Sequence, residues 1–142
     1  TIMDVQIVTD PRNLGQVAQN ATDEVKAKIA SALHRTAQVG INIVQDRTKR
    51  SVSYKGGAFK AYSAGYAEFR TSIGATLAPN LEVSGNMLGA MTSKANHKQA
   101  EIFFRGPEES KKAAFNDKIR PFLGFSREEQ NRLARTFERF LG

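Results

Sequence analysis

The chain has no cysteine. Disulfides are therefore excluded, and thiol catalysis with them. It has two histidines, His34 and His97, and neither has a second His, Cys or carboxylate cluster at metal-ligand spacing. Both are read as solvated or structural residues. No apolar run approaches the ~20 residues of a membrane span. Thr1 to Thr9 hold neither the basic region nor the apolar core of a signal peptide. The paired glycines Gly56-Gly57 lack the pattern of a phosphate-binding loop, and no dinucleotide-binding glycine motif occurs. The acidic pairs Glu108-Glu109 and Glu128-Glu129 fall in the first turns of expected helices, where dipole and capping roles account for them. No catalytic residue, cofactor or metal is assigned, and no enzymatic activity is expected.

What is present is a chain of 142 residues, suited to one domain, 1–142, with a real core. About two-thirds of the unfolded chain's surface should be buried on folding. The net charge of +7 is unevenly spread. Residues 1–43 balance, whereas residues 44–70 hold Arg47, Lys49, Arg50, Lys55, Lys60 and Arg70 against Asp46 and Glu68, a local excess of +4. A concentrated basic excess suggests an acidic partner, either nucleic acid or a protein surface.

Along the chain, Met3, Val5 and Ile7 alternate with polar residues and predict a strand over 2–8. A turn follows at 9–13, and 14–21 is ambiguous. Val25, Ile29, Leu33, Ala37, Ile41 and Val44 recur at helical spacing and predict a long helix from Thr22 to Asp46, capped by Thr22. Ala32, Thr36 and Gly40 beside that stripe would allow close approach of a sheet or a helix. Residues 47–66 then break the period and predict a projecting arm or long hairpin. A short helix is expected over 64–72, a loop to Asn80, a strand over 81–83, and a helix capped by Ser84 containing Met87, Leu88 and Met91. Thr92 to Lys98 reads as a polar connection. Ala100, Ile102 and Phe104 predict a strand, and Pro107 sits at the first position of a helix over 108–115.

The chain is organised around Arg120-Pro121-Phe122-Leu123-Gly124-Phe125-Ser126-Arg127-Glu128-Glu129. Pro121 pushes Arg120 toward extended geometry. Phe122 and Leu123 should be buried, as a last short strand, and Gly124 permits a turn. Ser126 and Glu129 form a capping box. The helix that follows places Leu133, Phe137, Phe140 and Leu141 on one face, with Arg132, Arg135 and Arg139 mostly outside it. The mixture predicts an α+β fold: a small, mostly antiparallel sheet, the long N-terminal helix packed on one face, a projecting arm and a C-terminal helix.

The Arg-Pro-Phe-Leu-Gly-hydrophobic-Ser run, followed by a charged helix, resembles a family of tailed-phage virion morphogenesis proteins, the tail-completion or head–tail joining proteins of the neck. The order of features strengthens the likeness over roughly residues 22 to 142. It includes a long helix, a basic and aromatic loop, and the segment Leu81-Glu82-Val83-Ser84-Gly85-Asn86-Met87-Leu88, which matches the family's Leu-x-x-(Ser/Thr)-Gly-x-Met-Leu. None of these pieces is an enzymatic signature.

The resemblance implies a structural virion protein, assembled in the host cytoplasm and resident in the neck. It would form a homo-oligomeric ring, hexameric to match the tail, that closes the tail tube end and meets both the tail tube protein and the head-side connector. In that setting Tyr54, Phe59, Tyr62 and Tyr66 of the arm are expected to lock onto a neighbouring subunit. Arg47, Lys49 and Arg50 are expected to line the DNA channel, with transient non-specific contact, or to face an acidic partner. Residues 51–61 should then be replaceable by a short linker without loss of the fold. From the residues alone, interleaved cations and aromatics fit three roles equally: subunit contact, single-stranded nucleic-acid binding, or a solvated loop. A basic nucleic-acid-binding domain is thus the alternative function.

Overall fold

The computed structural model describes residues 5–8, 22–81 and 86–142. The expected start of the first strand at 2–4, the segments 9–13 and 14–21, and Glu82, Val83, Ser84 and Gly85 lie outside the described residues.

The elements run β1 (Val5–Val8), α1 (Asp23–Lys49), α2 (Ala64–Ser72), α3 (Asn86–Gly89), β2 (Met91–Ala95), β3 (Gln99–Phe104), α4 (Pro107–Ile119) and α5 (Arg127–Leu141). The fold is α+β. The sheet has the order β1-β3-β2, and both pairings are antiparallel. In β3 the pleat alternates as its sequence demands: Ala100, Ile102 and Phe104 are buried, while Gln99, Glu101 and Phe103 are half-buried. The β2–β3 turn is closed by Asn96, whose Oδ1 accepts from the backbone N–H groups of Lys98 and Gln99. The polar run from Thr92 therefore begins as a strand rather than a connection. Met91, expected in a helix, opens that strand, and α3 is only a single turn.

Helix α1 begins as its sequence dictates, with the Thr22 hydroxyl accepting from the N–H of Val25. It runs past Asp46 to Lys49, and Ser51, at φ +61°, then turns the chain into the left-handed region. Ile29, Leu33, Ala37, Ile41 and Val44 are buried, and so are Ala32, Thr36 and Gly40; Val25, one turn earlier, is exposed. The helix lies on the sheet, where Gln38 donates to the Ser93 hydroxyl, and Gln45 donates to the Leu88 carbonyl of α3. Helix α5 packs on α1 in the opposite direction: Arg47 meets its first turn at Glu129, and Arg35 lies over Phe140 in its last. Phe122 is fully enclosed, edge-on to Phe104. Leu123, Met87, Leu88 and Ala113 join the same core.

The stretch 47–66 is not one arm. Residues 51–59 form a tight turned-back ribbon. Val52 bridges Ala58, Gly56 and Gly57 take φ of +94° and +82° at the tip, and Phe59 donates back to the Ser51 carbonyl. This ribbon folds onto the body, where Ser53 donates to the Pro121 carbonyl and Phe59 enters the core. The segment that stands out from the core is 61–81, built on α2. Leu81, at φ +58°, is not extended, so the strand expected to begin there does not begin at that residue.

Candidate interaction surface: an anchored arm and the groove beside it

The organising stretch works through two arginines. Arg47, expected at a channel surface, is 3% exposed. Its guanidinium donates to the Glu129 carboxylate and to the backbone carbonyls of Phe122 and Gly124. Glu129 in turn accepts from the N–H of Ser126 while the Ser126 hydroxyl accepts from the N–H of Glu129, closing the capping box. One side chain thus ties the end of α1 to the start of α5 through the turn between them. In the single chain Arg47 is therefore committed to the body and is not presented to a channel or a partner. Lys49 and Arg50, beyond it, are exposed.

Arg120 is the second tie. Pro121 holds it extended, at φ −130° and ψ 90°. The Asp117 carboxylate accepts from the N–H groups of Phe122 and Leu123 and fixes the run that follows, without any sheet pairing there. So placed, Arg120 is 8% exposed and donates to the carbonyls of Lys60 and Ala61, 2.6 and 3.0 Å away, where the arm leaves the body.

The arm itself closes around Arg70. This residue is fully buried, and it donates to the Thr76 carbonyl at 2.7 Å and to Asn80 Oδ1 at 3.1 Å. The outgoing helix and the returning loop are thereby joined. The ring of Tyr62 lies 4.5 Å from the Arg120 guanidinium and 4.8 Å from that of Arg70, and its hydroxyl accepts from the N–H of Leu81. Arm root, arm interior and return point therefore share one aromatic ring. Helix α2 starts as expected, with Ser63 capping by accepting from the N–H of Tyr66.

Of the four aromatics expected to lock onto a neighbour, Phe59 belongs to the core, because the ribbon turns it inward, and so is not available to a partner. Tyr54 is half-buried over Gly124, and Tyr62 is held at the arm root. Only Tyr66 is exposed, and it is the first of a set. Seven large apolar side chains are exposed among the described residues, and all but Val25 lie on the arm (Tyr66, Phe69, Ile73, Leu77) or on α4 (Phe115, Ile119). Tyr66 and Phe69 touch, their ring centres 5.9 Å apart. Between arm root and α4 lies a groove of about 630 Å³, walled by Tyr62, Tyr66, Phe115 and Ile119, with Lys60 and Lys112 at it as well. Phe69, Ile73, Phe115 and Ile119 were readable as a candidate set only through spacing: Tyr62, Tyr66, Phe69 and Ile73 recur at four, three and four, and Phe115 and Ile119 at four.

A surface of this kind is suited to apolar or aromatic groups. Among the described residues no three His, Cys, Asp or Glu side chains are grouped to hold a metal ion, and no helix is long and apolar enough to cross a membrane. Compared with models of protein families, with curated proteins and with solved structures, the chain matches none.

Proposed function

We propose that the chain is a structural protein of a tailed-phage neck, one that assembles with copies of itself into a ring, closes the end of the tail tube and offers the surface on which the head-side connector docks. The observation that carries this reading is that, among the described residues, the exposed large apolar side chains other than Val25 gather onto the arm and the helix beside it. Contiguous apolar surface of that kind marks an interaction site. An arm tied firmly at its root by Arg120 and Tyr62 is suited to carry such a surface to a neighbour. The resemblance in the order of motifs supports the identity of the assembly. A hexameric ring, a tail tube protein on one side and a connector on the other, assembly in the host cytoplasm and residence in the virion all follow from that resemblance. No reaction is part of this function.

The test uses heads and tails accumulated in an infection that lacks this chain. Purified chain added to them should yield joined particles, counted by electron microscopy. A chain with residues 64–78 replaced by a short Gly-Ser linker should not. Joining at the same yield by both forms would reject the role of the arm, and failure of the intact chain to join them would reject the neck reading.

One observation favours nucleic-acid contact as a second reading. Arg132, Arg135 and Arg139 are exposed on one face of α5, at spacings of three and four. Three phosphate contacts would give a fall in duplex-DNA affinity with salt of slope about −3 on logarithmic axes. A flat salt dependence rejects this reading.

A further inference from the structure

The outer side of the α1–α5 pair holds a charge that the fold does not use. Helix α5 carries four arginines and no lysine. Arg132, Arg135 and Arg139 fall within about 60° of one another round the helix, and all three are exposed. Arg127, about 140° from Arg132, is not part of the row. Arg35 is exposed on α1, and its guanidinium reaches across to lie over the ring of Phe140, 4.1 Å from its centre. A fourth arginine therefore stands beside the last turn of α5.

No carboxylate among the described residues pairs with any of the four. Arg139 has a 3.5 Å contact to the Thr136 hydroxyl, and its place in the last turn complements the helix dipole. That reason does not extend to Arg132 and Arg135. Glu129 is taken by Arg47. Glu128 starts the row and Glu138 lies beside Arg135, both exposed. On α1 the nearest carboxylates, Glu24 and Asp46, are each about three turns from Arg35. Four guanidiniums thus face two neighbouring carboxylates, and the surplus lies toward the end of α5.

The geometry narrows the kind of anion. Both helices are packed on the core, so the row is held at fixed spacing. Arg132 and Arg139 are about 10 Å apart along the axis, the rise of about three nucleotides in one strand of a duplex. A guanidinium is a planar fork that takes phosphate oxygens in pairs. The face has no exposed aromatic ring, because Phe137 and Phe140 are half-buried and Phe140 lies under Arg35. Single-strand binding draws on such rings for stacking.

We propose that Arg35, Arg132, Arg135 and Arg139 form one site for the sugar–phosphate backbone of duplex DNA, a site that contacts phosphates, reads no bases and disfavours single strands. The proposal rests on the nucleic-acid reading above and deepens it with a second helix and a mode of binding.

The experiment follows binding of the full chain to a short labelled duplex by fluorescence anisotropy across a salt series. Four contacts predict a slope of about −3.6 on logarithmic axes. Arg35→Gln keeps a stem beside Phe140 and removes the charge. It should flatten the slope by about 0.9, as should Arg132→Gln. Arg35→Lys should keep the wild-type slope, and so should Lys111→Gln, exposed on α4. Duplexes of different sequence should bind alike, and a single strand of the same length more weakly. All the replaced side chains are exposed, so unchanged thermal melting is the control for folding.

A wild-type slope in Arg35→Gln overturns the proposal, while loss in Arg132→Gln alone leaves the nucleic-acid reading standing. A single strand held as tightly as the duplex, or a marked sequence preference, overturns it in the same way. Polyglutamate held as tightly as the duplex at equal salt assigns the face to an acidic protein and overturns it too. Equal loss in Lys111→Gln and Arg35→Gln does so as well, because the attraction is then the diffuse field of the whole chain. A flat wild-type slope ends both the proposal and the reading beneath it.

Discussion

The ring of Tyr54 occupies the space that a side chain on residue 124 would need. A β-carbon built on Gly124 would lie 2.6 Å from Tyr54 Cζ and 2.8 Å from its two ε-carbons. The ribbon at 51–59 and the turn before α5 thus approach each other only because one of them carries glycine. Gly124→Ala should destabilise the protein by ~1–3 kcal/mol, as overpacking does. In a Tyr54→Ala background the same change should cost clearly less. Urea unfolding of the four proteins gives the coupling directly, and additive costs would mean that the two residues do not touch in solution.

Arg47 should behave as a core residue. Arg47→Met removes one half of a buried ion pair and two bonds to backbone carbonyls, and should cost ~3–5 kcal/mol. Lys49→Ala and Arg50→Ala, at exposed positions, should each stay within about 0.5 kcal/mol of wild type. Equal effects at all three positions, measured by urea midpoint at constant slope, would contradict the burial of Arg47.

Phe122→Ala should cost ~3–5 kcal/mol, because the side chain is fully enclosed against Phe104 and leaves a cavity. Phe69→Ala and Phe115→Ala, exposed in the single chain, should leave its stability within about 0.5 kcal/mol. Thermal melting of dilute protein separates the two groups.

Two linker replacements should have opposite outcomes. A Gly-Ser linker in place of residues 64–78 should leave a folded body, since the core draws nothing from them. The same treatment of 51–61 should destabilise it severely, since it removes Phe59 from the core and the Ser53 bond to Pro121. Far-ultraviolet circular dichroism and cooperative melting report the result. A cooperative, native-like melt after the second replacement would place the ribbon outside the core.

The long helix, its cap, the inward face of β3, the capping box at Ser126 and the enclosure of Phe122 were all legible, because each follows from local spacing or a local cap. The end of α1 was not. Its terminating residue is Ser51 rather than a glycine, so no local signal marked the stop, and the continuation to Lys49 is set by Arg47 reaching the carbonyls of Phe122 and Gly124. The arm was misplaced for a related reason. Residues 51–59 lack a period, which reads as exposure, but their pairing is a ribbon closed by two glycines and anchored to Pro121, a long-range contact that no local pattern encodes. The aromatic spacing from Tyr62 onward did carry the real arm. It was read together with Phe59, three residues earlier, which faces the other way into the core. The burial of Arg70 was illegible because it is set by acceptors on the returning loop, the Thr76 carbonyl and Asn80 Oδ1, which no helical spacing announces.

The arm leaves the body at Ala61 and returns at Leu81, and Tyr62 bonds across that gap. To the rest of the molecule the excursion is a closed detour, and its length is almost invisible to the fold: doubling a loop adds only ~0.6 kcal/mol of closure entropy. Reach can therefore change without redesign of the core. Chains built on this plan are free to differ in the span and tip of the detour while keeping the Tyr62–Arg120 root.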